Sequence, residues 1–121
     1  MMKLEVLNLA LEAIELLRPI VARIKKYDRN LARQITDAAN SSVLNTGEGA
    51  LSDAGSRRSR YQSAAGSANE VRVGILAAIR WGYVSEAGFG RAQQTANMRG
   101  GRPKRIYTKT HFALALPVPR S

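Results

Sequence analysis

Between residues 45 and 83 the chain carries the pattern that most restricts its fold. Tyr61, Ala64, Ala68, Val71, Ile75 and Ala78 are spaced alternately by three and four, which puts one stripe on one helical face. Ala65, Leu76 and Ile79 widen the stripe, as a helix packed against two or three neighbours requires. Ala64, Ala65, Gly66, Ser67 and Ala68 are small where larger side chains are expected, so another backbone can come close. Polar Asn69 and Glu70 follow directly, and Asn45 and Glu48 lie near the end of the preceding helical pattern. If they face inward, Asn45, Glu48, Ser67, Asn69 and Glu70 form a structural polar network, because an unpaired buried polar group is costly.

The rest of the chain reads as helices joined by short turns. Over residues 1–26, Leu4, Leu7, Leu11, Ile14, Val21 and Ile24 give a core face, broadened by Val6, Leu9, Leu17 and Ile20. Early Glu5, Glu12 and Glu15 and late Arg23, Lys25 and Lys26 complement the helix dipole. Pro19 lacks an N–H donor and disfavours helix at Arg18, so a kink or two helical pieces are expected. A core helix fits better than a membrane-surface one, because the polar face is acidic at one end rather than basic throughout. After a turn over residues 27–30, with Asp28 or Asn30 as an N-cap, a second helix spans residues 31–50. Its rows are Leu31, Ile35, Ala38 and Ser42 beside Ala32, Ala39, Val43 and Thr46, and Gly47 and Gly49 weaken its end.

Residues 51–56 read as a loop, with Ser56 capping the third helix. Gly47-Glu48-Gly49 lacks the Gly-Lys-Ser/Thr ending and the preceding strand of a phosphate loop, so it reads as a helix end. Gly82 after Trp81 suits a left-handed C-cap. Ser85 can cap a thin fourth helix over residues 86–98, interrupted by Gly88 and Gly90. The expected fold is all-α: an antiparallel up-down-up-down four-helix bundle over residues 1–98 with an extended, basic, Pro-containing C-terminal tail over residues 99–121. In that tail Phe112, Leu114, Leu116 and Val118 alternate with other residues, as an extended segment does.

Composition removes several classes of function. The 121 residues make one domain. With no cysteine there is no disulfide, thiolate metal site or cysteine nucleophile, and the lone His111 rules out a histidine-rich site. No cofactor or metal is expected. Glu48 and Glu70 are the one conceivable carboxylate pair; without a partner histidine or a second acidic motif they read as structural, and no enzymatic activity is expected. No stretch resembles a signal peptide, and no apolar run approaches the roughly 18 residues of a membrane span. The expectation is a soluble cytoplasmic protein.

Charge is the strongest compositional fact. Nineteen Lys and Arg stand against nine Asp and Glu, a formal net charge of +10. From Arg99 onward, Arg99, Arg102, Lys104, Arg105, Lys109 and Arg120 occur with no acid. Arg57, Arg58 and Arg60 cluster in the first turns of the third helix, against its dipole, and suit either a phosphate contact or a salt bridge to Glu48. Such a chain offers an electrostatic surface for nucleic acid, with affinity but little sequence specificity; the alternative is a solvated face that aids solubility. Arg57, Arg58, Arg60, Arg99, Arg102, Lys104 and Arg105 are the candidate nucleic-acid-binding residues. Gly101-Arg102-Pro103 also resembles the extended hook that enters A/T-rich minor grooves.

Gln34-Ile35, Ala38-Ala39, Ser42, Asn45, Glu48-Gly49, Arg57, Gly66-Ser67-Ala68-Asn69-Glu70 and Gly82-Tyr83 together resemble the signature of a known family. Its members are the four-helix-bundle proteins encoded in intervening sequences of bacterial large-subunit ribosomal RNA genes. The accessory variability determinant proteins of diversity-generating retroelements belong to it too. The resemblance covers residues 4–98 and implies a ring-like homopentamer whose basic assembly binds RNA or DNA, without enzymatic activity. It also implies, as an alternative, a scaffold for a partner such as a reverse transcriptase. The sequence departs from the family pattern at Thr46, at residues 50–55 and in its glycine-broken fourth helix.

Overall fold

A computed structural model describes residues 3–85, with side chains from Glu5 onward. Across these residues the chain is all-helical: α1 (Lys3–Lys25), α2 (Arg29–Ala50) and α3 (Ala54–Trp81). The expected fourth helix over residues 86–98, the tail over residues 99–121 and the Leu4 side chain lie outside the described residues.

The two turns are short because each following helix is capped at once. Asp28 accepts from the Leu31 N–H and starts α2, while Asp53 accepts from the Ser56 N–H and starts α3. The cap of α3 is therefore Asp53, not Ser56, and the loop closes at residue 53. An aspartate three residues ahead of a free helical N–H satisfies a donor that the helix cannot, and its charge suits the positive end of the dipole. At the far end of α3, Gly82 adopts φ +85°, the left-handed cap expected of it.

α3 buries the expected stripe: Ala64, Ala68, Val71, Ile75 and Ala78 are inside, and Tyr61 is half-buried. α2 buries Ala32, Ile35, Ala38, Ala39, Ser42, Thr46, Gly49 and Ala50, so both expected rows face inward, with Leu31 and Val43 half-buried. Gly47 and Gly49 do not end α2, which continues to Ala50. A Cβ on Gly49 would lie 2.6 Å from the Tyr61 ring, and one on Gly74 would lie 2.7 Å from Cγ1 of Ile35. At these two glycines a side chain of the other helix packs directly against the backbone.

α1 departs from expectation in two respects. The helix runs unbroken through Pro19, because Glu15 and Pro19 both face outward and the lost i to i−4 bond falls on the solvent side. Its inward face is also displaced. Val6, Leu9, Ala10, Ala13, Leu17, Ile20 and Ile24 are buried, whereas Leu7, Ile14 and Val21 are half-buried and Leu11 is 46% exposed. The apolar arc of α1 is wide enough that periodicity leaves its centre open. Ala10 and Ala13 decide it, since small residues permit the closer contact.

Contacts between the helices run in opposite directions along the chain. Ser42 bonds to Ala64, Ser41 to Ser67 and Asn45 to Arg60, so α2 and α3 are antiparallel. α2 packs on both other helices. Leu17, Ile20 and Ile24 of α1 share one core with Ile35, Ala38 and Ala39 of α2 and Val71, Ile75 and Ala78 of α3. A smaller cluster joins Val6 and Ala10 to Ala64.

Two glycines of α3 predict opposite responses to alanine. A methyl group added at Gly66 would meet nothing within 4 Å, so Gly66→Ala is expected to stabilise by about 0.5–1 kcal/mol through helix propensity. At Gly74 the methyl meets buried Ile35, and overpacking of about 1–3 kcal/mol offsets or exceeds the same gain. Urea denaturation of the two variants distinguishes them; equal stabilisation by both would refute the close α2–α3 contact.

Candidate nucleic-acid interface

The end of α2 and the start of α3 bring the expected polar residues and arginines to one end of the bundle. Spacing on α2 builds the inner part. Thr46 Oγ1 donates to the Ser42 carbonyl at 2.8 Å, and Ser42 Oγ donates across to the Ala64 carbonyl at 3.0 Å, both buried. One helical turn gives the same i to i−4 relation at Asn45, whose Nδ2 donates to the Ser41 carbonyl at 2.9 Å. Ser67 Oγ then reaches Ser41 Oγ at 2.9 Å across the α2–α3 seam.

The outer part is charged. Arg60 Nη1 lies 2.9 Å from Glu48 Oε1 and donates to Asn45 Oδ1 at 3.3 Å. The Arg60 and Glu48 side chains are 49% and 56% exposed, so water and salt screen the pair and its net worth is at most about 1 kcal/mol. With Asp37, Asn40, Ser41, Leu44 and Asn45 the pair lines an open groove of about 310 Å³.

Of the three candidate arginines, each has a different environment. Arg60 makes the salt bridge to Glu48. Arg57 is half-buried: its Nη2 donates to the Ser52 carbonyl at 2.9 Å, while its buried Nε finds no acceptor among the described residues. Arg58 is exposed. No acid lies within the first turn of α3, but the Asp53 cap just before it partly offsets the positive potential to which Arg57 and Arg58 add. Arg99, Arg102, Lys104 and Arg105 lie outside the described residues.

The five residues expected to form a polar network divide. Asn45, Glu48 and Ser67 meet across the seam, whereas Asn69 and Glu70 are exposed and stand apart from it. Glu70 lies ten positions beyond Arg60, roughly 15 Å along the α3 axis, so Glu48 and Glu70 do not form a carboxylate pair. No group of three or more metal-ligating side chains occurs among the described residues, and no described helix is long and apolar enough to cross a membrane.

Sequence reasoning missed Ser41, which receives both Asn45 and Ser67. The signal was present: Ser41-Ser42 precede Asn45-Thr46 by four, the spacing that returns a polar side chain to its own helix backbone. It also missed Tyr27 and Trp81, which stack on Tyr83 at the opposite end of the bundle. Neither protein-family models, curated proteins nor solved structures yield a match to this chain.

Asp53 shapes the acid response of this end. The Ser56 N–H holds its carboxyl below the ordinary aspartate value, with Ser56 Oγ, Gly55 N–H and Arg57 adding to the effect. A depressed folded pKa stabilises the protein above the unfolded pKa, and that stabilisation is lost as pH falls through the folded one. Asp53→Asn keeps the cap without the charge. The melting-temperature advantage of the parent over Asp53→Asn is therefore expected to shrink as pH falls below the ordinary aspartate range of about 4. An advantage that grows would refute the assignment.

Proposed function

We propose that this chain is a non-enzymatic, homo-oligomeric basic bundle protein that binds RNA or DNA through phosphate contacts with little sequence specificity. The observation that carries the reading is the start of α3. Arg57 and Arg58 follow the Asp53 cap of α3, and Arg60 lies one turn on with a solvent-screened partner, so three guanidinium groups gather at this end. With the Asp53 carboxylate already on the cap N–H groups, the guanidinium groups are what an external anion would meet, and phosphate is the anion that such a surface meets in repeated array. The net charge of +10 favours the same ligand, and the six basic residues of the acid-free stretch 99–121 supply most of it.

The proposal includes membership of the intervening-sequence family, a fourth helix over residues 86–98 and a pentameric ring. Support for assembly comes from α1. Its row of Leu7, Leu11, Ile14 and Val21 is only partly covered, and Ile14, Leu17, Val21 and Ala39 line an apolar groove of about 310 Å³ between α1 and α2. A second copy seated there removes that surface from water. Light scattering on the nuclease-treated protein is expected to give a stable multiple of the chain mass; a monomer would overturn the assembly.

Binding is tested separately. Replacing Arg57, Arg58 and Arg60 together with Gln is expected to make the slope of log K against log salt shallower by about 2–3, since each lost phosphate contact removes roughly 0.7–0.9. An unchanged slope and affinity would remove these residues from the interface. A partner protein recovered equally by the parent and the triple variant from nuclease-treated lysate would favour the scaffold reading instead.

A further inference from the structure

At the end of the bundle opposite the α3 arginines, roughly 32–36 Å along that helix, three aromatic rings form an open stack. Tyr27, in the α1–α2 turn, stacks on Tyr83 with centroids 5.3 Å and planes 7° apart. Trp81, the last residue of α3, stacks on the same Tyr83 at 6.3 Å and 12°. Arg23 Nε donates to the Tyr83 carbonyl at 3.1 Å and ties the stack to α1. Trp81 is nonetheless 71% exposed and Tyr27 56% exposed. Rings that served only to hold the helices together would gain most by hiding this area, and here most of it faces water.

The topology surrounds the rings with positive charge. The end of α1, the start of α2 and the end of α3 meet here and bring Arg23, Lys25, Lys26, Arg29 and Arg80 together. The one carboxylate in the turn, Asp28, accepts from the Leu31 N–H as the cap of α2. A cationic ligand, which an exposed aromatic stack would otherwise attract, is repelled by these side chains. The ligand that matches both features is flat, aromatic and polyanionic.

We propose that Tyr27, Tyr83 and Trp81, with the surrounding cations, are a stacking platform for the unpaired bases of single-stranded nucleic acid. Near-parallel rings present the next plane of a stack already oriented, and the cations hold the phosphates that flank the base. A duplex offers the same phosphates but keeps its base faces covered, so the platform selects single strands. The inference deepens the nucleic-acid reading and rests on it, but the site is separate from the α3 arginines.

Trp81 is the one tryptophan of the chain, so its emission reports this site alone. The full-length protein is titrated at low salt with an oligothymidylate of about 12 nucleotides and with a hairpin duplex of equal phosphate number, following both emission and oligonucleotide anisotropy. The expected result is saturable quenching by the single strand and duplex binding without quenching. Trp81→Leu and Tyr27→Leu are expected to weaken single-strand binding at least about fivefold while leaving duplex affinity and salt slope unchanged, since no charge is removed. Single-strand binding with unchanged Trp81 emission overturns the platform and leaves the phosphate reading standing; so does an equal loss of duplex binding in a folded variant. Binding of neither oligonucleotide overturns both readings. If circular dichroism shows that a leucine variant has unfolded, the quenching of the parent protein decides.

Discussion

α2 and α3 approach closely enough that a Cβ at two glycines would crowd a side chain of the other helix: Gly49 lies under Tyr61, and Gly74 lies under Ile35. Between these points Ser42 donates directly to the Ala64 backbone. Small side chains at both positions leave room for that bond. Small residues therefore act in two ways here. They bring the helices together, and they leave backbone carbonyls within reach of the opposing helix's hydroxyls. The apolar core follows from this spacing, since Ile35, Val71 and Ile75 fill the remaining volume and α1 closes it with Leu17, Ile20 and Ile24.

The same seam sets out the polar chemistry. At its inner part every polar side chain is short and bonded, as burial demands: Ser42, Thr46 and Ser67. Longer and charged side chains are confined to its edge, where Arg60, Glu48 and Asn45 meet with water beside them. The gradation from hydroxyl to amide to ion pair follows the rising access of solvent, because desolvating a charge is far more costly than desolvating a hydroxyl. Antiparallel packing then assigns each end of the bundle its own character. The α2–α3 turn gathers Arg57, Arg58 and Arg60, and the opposite end gathers three rings and five cations. The two ends thus differ: arginines mixed with the carboxylates of Glu48 and Asp53 at one, and rings among cations at the other.

Much of this was legible in the residues. The alternation of three and four from Tyr61 to Ala78 marked the buried face of α3, and the two rows of α2 did the same, because each row repeats at the helical spacing. Gly82 announced its own left-handed cap. α1 was read with its face displaced: an arc running from Val6 to Leu11 offers several centres, and only the partners choose among them. The start of α3 was misplaced for a related reason. Asp53 and Ser56 are both good caps, and the chain uses the aspartate as cap with Ser56 as its donor.

The features written in the chain alone are local: the helices, the stripes that two of them bury, the glycine that ends α3 and the excess of positive charge. They depend on spacing along one chain and on residue type, which can be read without knowing how the helices pack. Packing settles which distant residues meet. Glu48 was a candidate for Arg60 or for Glu70, and the register of α2 on α3 puts it on Arg60. Tyr27 and Trp81 are more than fifty positions apart, and nothing in their spacing relates them. They come together because the close packing of small residues aligns two helix ends with one helix start, and that alignment is a property of the seam rather than of any one helix.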